Sequence, residues 1–146
     1  MATQVVNTRL LRDASASTLV TKALPAAGAN NNTATIDLGL GPWHPEEPEI
    51  EISLPAMTAH NSASYSVTIT LQDSADNITF ASTDDGVGSR VAVTLTTPGI
   101  ASTGTAARLV RFKLPIGVKQ YIQFNQAVTS GGPTLTGTTV TYSVLF

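Results

Sequence analysis

The sequence predicts an all-β domain, an antiparallel β-sandwich or barrel, and three observations point to it. Tyr65, Val67, Ile69 and Leu71 alternate strictly with Ser66, Thr68, Thr70 and Gln72, the period of two that sends one face of a strand into a core. Short segments of the same kind recur along the chain, separated by clusters of Gly, Pro, Asn and Asp with turn chemistry. No stretch shows the 3.6-residue period of an amphipathic helix, which excludes a parallel α/β fold.

Residues 1–30 have no clean period, yet Val5, Val6, Leu10, Leu11, Leu19, Val20 and Leu24 make their first part too apolar for a flexible tail. Residues 1–24 are therefore expected as an extended N-terminal arm or first strand, and residues 25–146 as the sandwich domain. Pro25 to Asn32 reads as a loop, since Gly and Asn tolerate left-handed backbone. Ala34, Ile36 and Leu38 then alternate with Thr35 and Asp37 as a short strand. Prolines at 42, 45 and 48 set a stiff exposed loop that holds Trp43.

Ile50, Ile52 and Leu54 alternate with Glu49, Glu51 and Ser53, so an acidic face meets water or a partner, and Pro55 stops the strand. After the Tyr65 to Gln72 strand, Asp73-Ser-Ala-Asp-Asn77 turns the chain and Ile78 and Phe80 start the return of a hairpin. Asp84 to Ser89 is another turn. Val91, Val93 and Leu95 give the next strand; Val110, Phe112 and Leu114 give one whose opposite face shows Arg111 and Lys113. Pro115-Ile-Gly117 turns the chain again. Ile122 and Phe124 oppose Tyr121 and Gln123, and beyond Ser130-Gly-Gly-Pro133 the final strand points Val140, Tyr142, Val144 and Phe146 inward.

At 146 residues the chain has the size of one domain, and folding buries about 70% of the unfolded surface, enough for a core that needs neither metal nor disulfide. Cysteine is absent, which removes thiol nucleophiles and thiolate zinc sites. The first residues lack a basic stretch followed by an apolar one, and no run approaches membrane-spanning length, so a soluble protein without a secretory signal is expected. A net charge of -2 with only 12% charged residues argues against nucleic acid as a partner, because phosphate binding needs a basic surface. A surface of Thr, Ser and Ala, short of Lys and Glu, suits a protein packed against others.

No constellation for catalysis, cofactor binding or metal binding emerges. His44 and His60 are the only histidines, and both read as solvated loop residues with no nucleophile beside them. Glu46, Glu47, Glu49 and Glu51 form the densest acidic run, but the period of two places Glu49 and Glu51 on one solvated strand face rather than across a scissile bond. Asp73, Asp76, Asn77, Asp84 and Asp85 lack the spacing of a calcium loop and are read as turn caps. Gly86 and Gly88 have no Lys-Ser/Thr behind them and no helix to follow, so they are turn glycines. Asn31-Asn-Thr33 and Asn77-Ile-Thr79 match the glycosylation triplet, which carries little meaning without a secretory signal.

Two features leave alternatives open. Trp43, the only tryptophan, either folds over the sandwich edge or anchors an interface. Every Asp and Glu lies before residue 86, while Arg90, Arg108, Arg111, Lys113 and Lys119 all follow residue 89. These charges either pair internally or form opposite patches that set the register of neighbours.

Several segments carry a resemblance: Ile36-Asp-Leu-Gly39, Pro48-Glu-Ile-Glu-Ile52, Val67-Thr-Ile-Thr-Leu-Gln-Asp-Ser-Ala-Asp-Asn77, and above all Val110-Arg-Phe-Lys-Leu-Pro-Ile-Gly-Val-Lys-Gln-Tyr-Ile122 with its following Gly-Pro turn and Thr-rich final strand. In these the chain resembles the jelly-roll capsid cement or decoration proteins of tailed bacteriophages. The resemblance spans about the last four fifths of the chain. It departs from the family at Gln120 and Gln123, where a more basic strand is expected, and in the Trp43-His-Pro-Glu-Glu47 loop.

The resemblance implies a jelly-roll β-sandwich with an extended N-terminal arm. Its function would be that of a structural virion protein, made in the host cytoplasm, that binds the outer surface of the capsid and bridges capsomers without chemistry. Its partners would be the major capsid protein and further copies of itself, as dimer or trimer, with no nucleic acid and no membrane. Candidate contact residues are Val5, Val6, Leu10, Leu11, Trp43, Glu49, Glu51, Arg108, Arg111 and Lys113. The arm, Ala2 to Leu24, is expected to add a strand to a neighbour's sheet edge. The alternative is a receptor- or carbohydrate-binding sandwich of a phage tail or baseplate.

Overall fold

The computed structural model describes residues 19–39, 49–57, 65–82, 92–96, 105–115, 117–131 and 134–145, the segment 92–96 by its backbone alone. Among the described residues ten strands follow one another: β1 (Leu19–Ala23), β2 (Asn30–Asn32), β3 (Ile36–Asp37), β4 (Glu49–Leu54), β5 (Ser66–Ser74), β6 (Ala81–Ser82), β7 (Ala92–Thr96), β8 (Arg108–Lys113), β9 (Tyr121–Val128) and β10 (Thr139–Leu145). No helix occurs among the described residues.

The strands form two antiparallel sheets. One has the order β1-β10-β4-β8; the other has β9 and β5 at its centre, with β2 and β3 both on the outer side of β9, and β6 and β7 both on the outer side of β5. Each of those outer pairs is one interrupted strand. Counted so, eight strands remain, ordered 1-8-3-6 in one sheet and 2-7-4-5 in the other, which is the strand order of a jelly roll.

The core lies between the sheets, filled by alternate residues as the period of two requires. Ile50, Ile52 and Leu54 of β4 and Val140, Tyr142 and Val144 of β10 face Val67, Ile69 and Leu71 of β5 and Ile122, Phe124 and Val128 of β9, all buried. Each fully buried aliphatic side chain contributes about 1.5–3 kcal/mol over its exposed state. β4 ends at Leu54 because Pro55 lacks the N–H that would continue the ladder. After β8, Gly117 takes φ of +88° and the Val118 N–H donates to the Pro115 carbonyl (3.3 Å), a turn that a side chain with Cβ adopts only with strain.

A polar contact crosses this core among the described residues. Tyr142 of β10 stacks on Phe124 of β9, ring centroids 4.4 Å apart and planes 17° from parallel. Its hydroxyl accepts a bond from the buried Gln126 amide at 2.6 Å. Burial pushes the Tyr142 phenol well above its usual range, with the Gln126 bond acting the other way.

Three local expectations need correction. Pro25 to Asn32 is not all loop, for β2 pairs with β9 through Asn30–Asn32, and its bounding turn is closed by Gly28 N–H bonding to the Val128 carbonyl (2.9 Å). Between β2 and β3 lie three residues, opposite only two on β9, so the outer strand carries a one-residue bulge that resets the alternation. Ala34 is consequently exposed and Thr33 is buried instead. Thr33 stands in for the interrupted ladder: its N–H donates to the Phe124 carbonyl (2.9 Å) and its hydroxyl accepts the Phe124 N–H (3.0 Å).

The hairpin after β5 also turns later than expected. Asp76 accepts bonds from the N–H groups of Ile78 and Thr79 at 2.9 Å each and from the Ser74 hydroxyl at 2.7 Å. Asn77 sits at φ of 58°. This turn runs through Ile78, which is 82% exposed, and the return strand is Ala81–Ser82. Within the segment expected as an arm or first strand, Leu19–Ala23 is a strand that pairs with β10, and Leu24 is buried. Residues 1–18 and Phe146 lie outside the described residues.

Candidate functional site

Of the sequence-derived contact residues, Val5, Val6, Leu10, Leu11 and Trp43 lie outside the described residues. The other five, Glu49, Glu51, Arg108, Arg111 and Lys113, fall on β4 and β8, which pair antiparallel with Glu49 opposite Lys113, Glu51 opposite Arg111 and Leu54 opposite Arg108. The alternation that buries Ile50, Ile52 and Leu54 puts Glu49, Glu51 and Ser53 on the outer face. Register then places Lys113, Arg111 and Leu109 beside them.

Glu51 and Arg111 form the tightest charge contact. Arg111 Nε and Nη2 both lie 2.6 Å from one oxygen, Oε2, of Glu51, with the arginine side chain 58% exposed and the glutamate 21%. The charge asymmetry of the sequence thus resolves here into an internal cross-strand pair. Glu49 and Glu51 stand opposite Lys113 and Arg111 across these strands, and Arg108, opposite Leu54, adds a third cation at the start of β8.

The same face continues over β10 and β1. Register sets Ser143 and then Leu19 beside Glu51, and Thr141 and then Thr21 beside Ser53. The result is a surface of small hydroxyls bordered by Leu19 on one edge strand and Leu109 on the other, 53% and 54% exposed. With Ile78 they are the large exposed apolar side chains among the described residues. Sequence reading missed Leu19 and Leu109 as surface groups. The signal was present for Leu109, which shares the odd-numbered positions of Arg111 and Lys113.

The other sheet presents amides and hydroxyls. Gln123 Nε2 donates to Gln72 Oε1 (2.8 Å) across β9 and β5, and Asn125 Nδ2 donates to Asn32 Oδ1 (2.6 Å). Asp73, buried at the end of β5, accepts the Lys119 N–H (3.2 Å) and lies 3.6 Å from the Lys119 ammonium. That contact ties the turn before β9 to β5. Asp76 in the neighbouring turn is held down to about 2, first by the Thr79 N–H, then by the Ser74 hydroxyl and the Ile78 N–H. Both aspartates act as turn fasteners, and no group of three or more His, Cys, Asp or Glu positioned to hold a metal ion occurs among the described residues.

No protein-family profile matches the chain, and no curated protein matches it significantly. Class assignment therefore ends at an all-β jelly-roll sandwich with one charged, hydroxyl-rich sheet face.

Proposed function

We propose that this protein is a structural virion protein of the cement or decoration type, binding the outside of a tailed-phage capsid and bridging its capsomers. The observation that carries the reading is a coincidence of pattern and fold. The segments that resemble the cement proteins occupy β3, β4, β5, β8 and the start of β9, and those strands sit in jelly-roll order.

A shell under internal pressure yields at joints between capsomers, and a rigid sandwich laid across a joint adds contacts that must break first. Two packed sheets with an aromatic stack between them supply the stiffness. Sheet edges that no described strand pairs with, and a face of hydroxyls and paired charges, supply the contacts. Repetition over many equivalent joints multiplies individually weak contacts, and self-association into a dimer or trimer extends the span of each unit. The test is to mix purified protein with expanded, DNA-free cognate shells. Co-sedimentation at fixed copies per capsomer with a raised rupture temperature is the expected result; no binding refutes the reading.

A further inference from the structure

β8 is the outermost strand of its sheet: β4 holds one side of it, and no described strand pairs with the other. An edge of this kind offers a row of backbone N–H and C=O groups to an extended chain. The side chains of β8 narrow what that chain is. Val110 and Phe112 point inward and pack on the core, yet both remain only partly buried, so a further strand beside them would cover apolar area. Leu109 and Arg111 stand exposed on the outer face. Arg108 is exposed and makes no ion pair with a described residue.

Three cations within six residues oppose a second copy of β8, because antiparallel self-pairing would set like charges side by side. The favoured neighbour carries carboxylates. The chain contains a worked example in β4, whose sequence Glu-Ile-Glu-Ile-Ser-Leu lays Glu49 and Glu51 against Lys113 and Arg111, and Ile50 and Ile52 against Phe112 and Val110. A strand of that chemistry satisfies both faces of β8 at once. Arg111 contacts Glu51 through two of its three nitrogens, and a guanidinium has five N–H donors with which to meet a second carboxylate.

We propose that the outer edge of β8 docks an extended acidic segment of a partner protein, alternating carboxylates with aliphatic side chains, which joins the β1-β10-β4-β8 sheet as a fifth strand. This rests on the chemistry of the edge and not on the capsid reading, since any protein can supply such a segment.

A labelled synthetic peptide of the β4 sequence, flanked by glycines, tests it on the full chain. Saturable binding is expected, weakening as salt is raised, with slowed amide exchange at residues 108–113 and roughly tenfold preference over the same peptide with lysines for its glutamates. Arg108→Glu, which breaks no ion pair with a described residue, should weaken binding roughly threefold to tenfold. Leu109→Lys, at an exposed position, should weaken it also.

Equal binding of the lysine peptide, equal competition by oligothymidylate, or protection confined to β10, as if β4 had been displaced, would each overturn the proposal. So would no binding at all. Absence of peptide binding beside intact shell binding would remove the edge site and leave the capsid reading standing.

Discussion

The Gln126 amide donates to the Tyr142 hydroxyl at 2.6 Å between the two sheets, joining β9 of one to β10 of the other. Gln126 Oε1 has no hydrogen-bond partner among the described residues, so the bond to Tyr142 is the one that this fully buried side chain makes there. Tyr142→Phe keeps the stack on Phe124 but strands the amide. It should cost about 1–3 kcal/mol in denaturant unfolding. Pairing it with Gln126→Met, which removes the polar group as well, should recover most of that loss, and a double-mutant cycle reads the coupling.

Thr33 bridges the bulge between β2 and β3 by accepting the Phe124 N–H on its hydroxyl. Thr33→Val preserves shape and removes the acceptor, leaving that N–H buried without its partner. The expected loss is again about 1–3 kcal/mol, together with faster amide exchange at Phe124. Thr33→Ser should restore protection at that amide.

Asp76 gives a pH signature. Its folded value of about 2 lies below the ordinary 3.8, so the carboxylate favours the folded turn at pH above about 4, and that contribution fades as pH falls through about 2. Following the Asp76 carboxyl resonance should give a midpoint near 2 in the native protein. A midpoint near 4 would mean that the three bonds to its side chain do not hold in solution. Asp76→Ala should release Ile78 and Thr79 to fast exchange and leave the core unaffected.

The Glu51–Arg111 pair, despite its 2.6 Å contact, has an arginine side chain 58% exposed. Its contribution to folding should be under about 1 kcal/mol and should shrink with salt. Arg111→Ala is therefore expected to unfold at nearly the wild-type denaturant midpoint. A large shift would mean that the pair is far better shielded from water than its exposure indicates.

How much of this was legible in the sequence differs by element. β4, β5 and β10 alternate cleanly because each has one face in the core, and their buried apolar residues were readable from the period alone, whereas on β9 the period gave Ile122 and Phe124. The bulge at Thr33 was not, because its cause is a register mismatch with a strand ninety residues away. Ile78 misled for a local reason, as an apolar residue after a turn reads as the start of the returning strand unless the Asp76 side chain is known to capture its N–H. Gln126 hid among the polar positions of β9, and only the partner sheet, by bringing Tyr142 to it, shows it to be inward. The charged face was partly visible: Glu49, Glu51, Arg111 and Lys113 were singled out, but their pairing needed the β4–β8 register.

The central claim is that this sandwich sits on the outside of a capsid across the joints between capsomers. Electron cryomicroscopy of the cognate virion tests it most directly. The account predicts density fitting the jelly roll at a fixed number of copies per capsomer on the outer shell, bridging neighbouring capsomers. Density at the tail or baseplate instead, or a shell bare of it, would contradict the account.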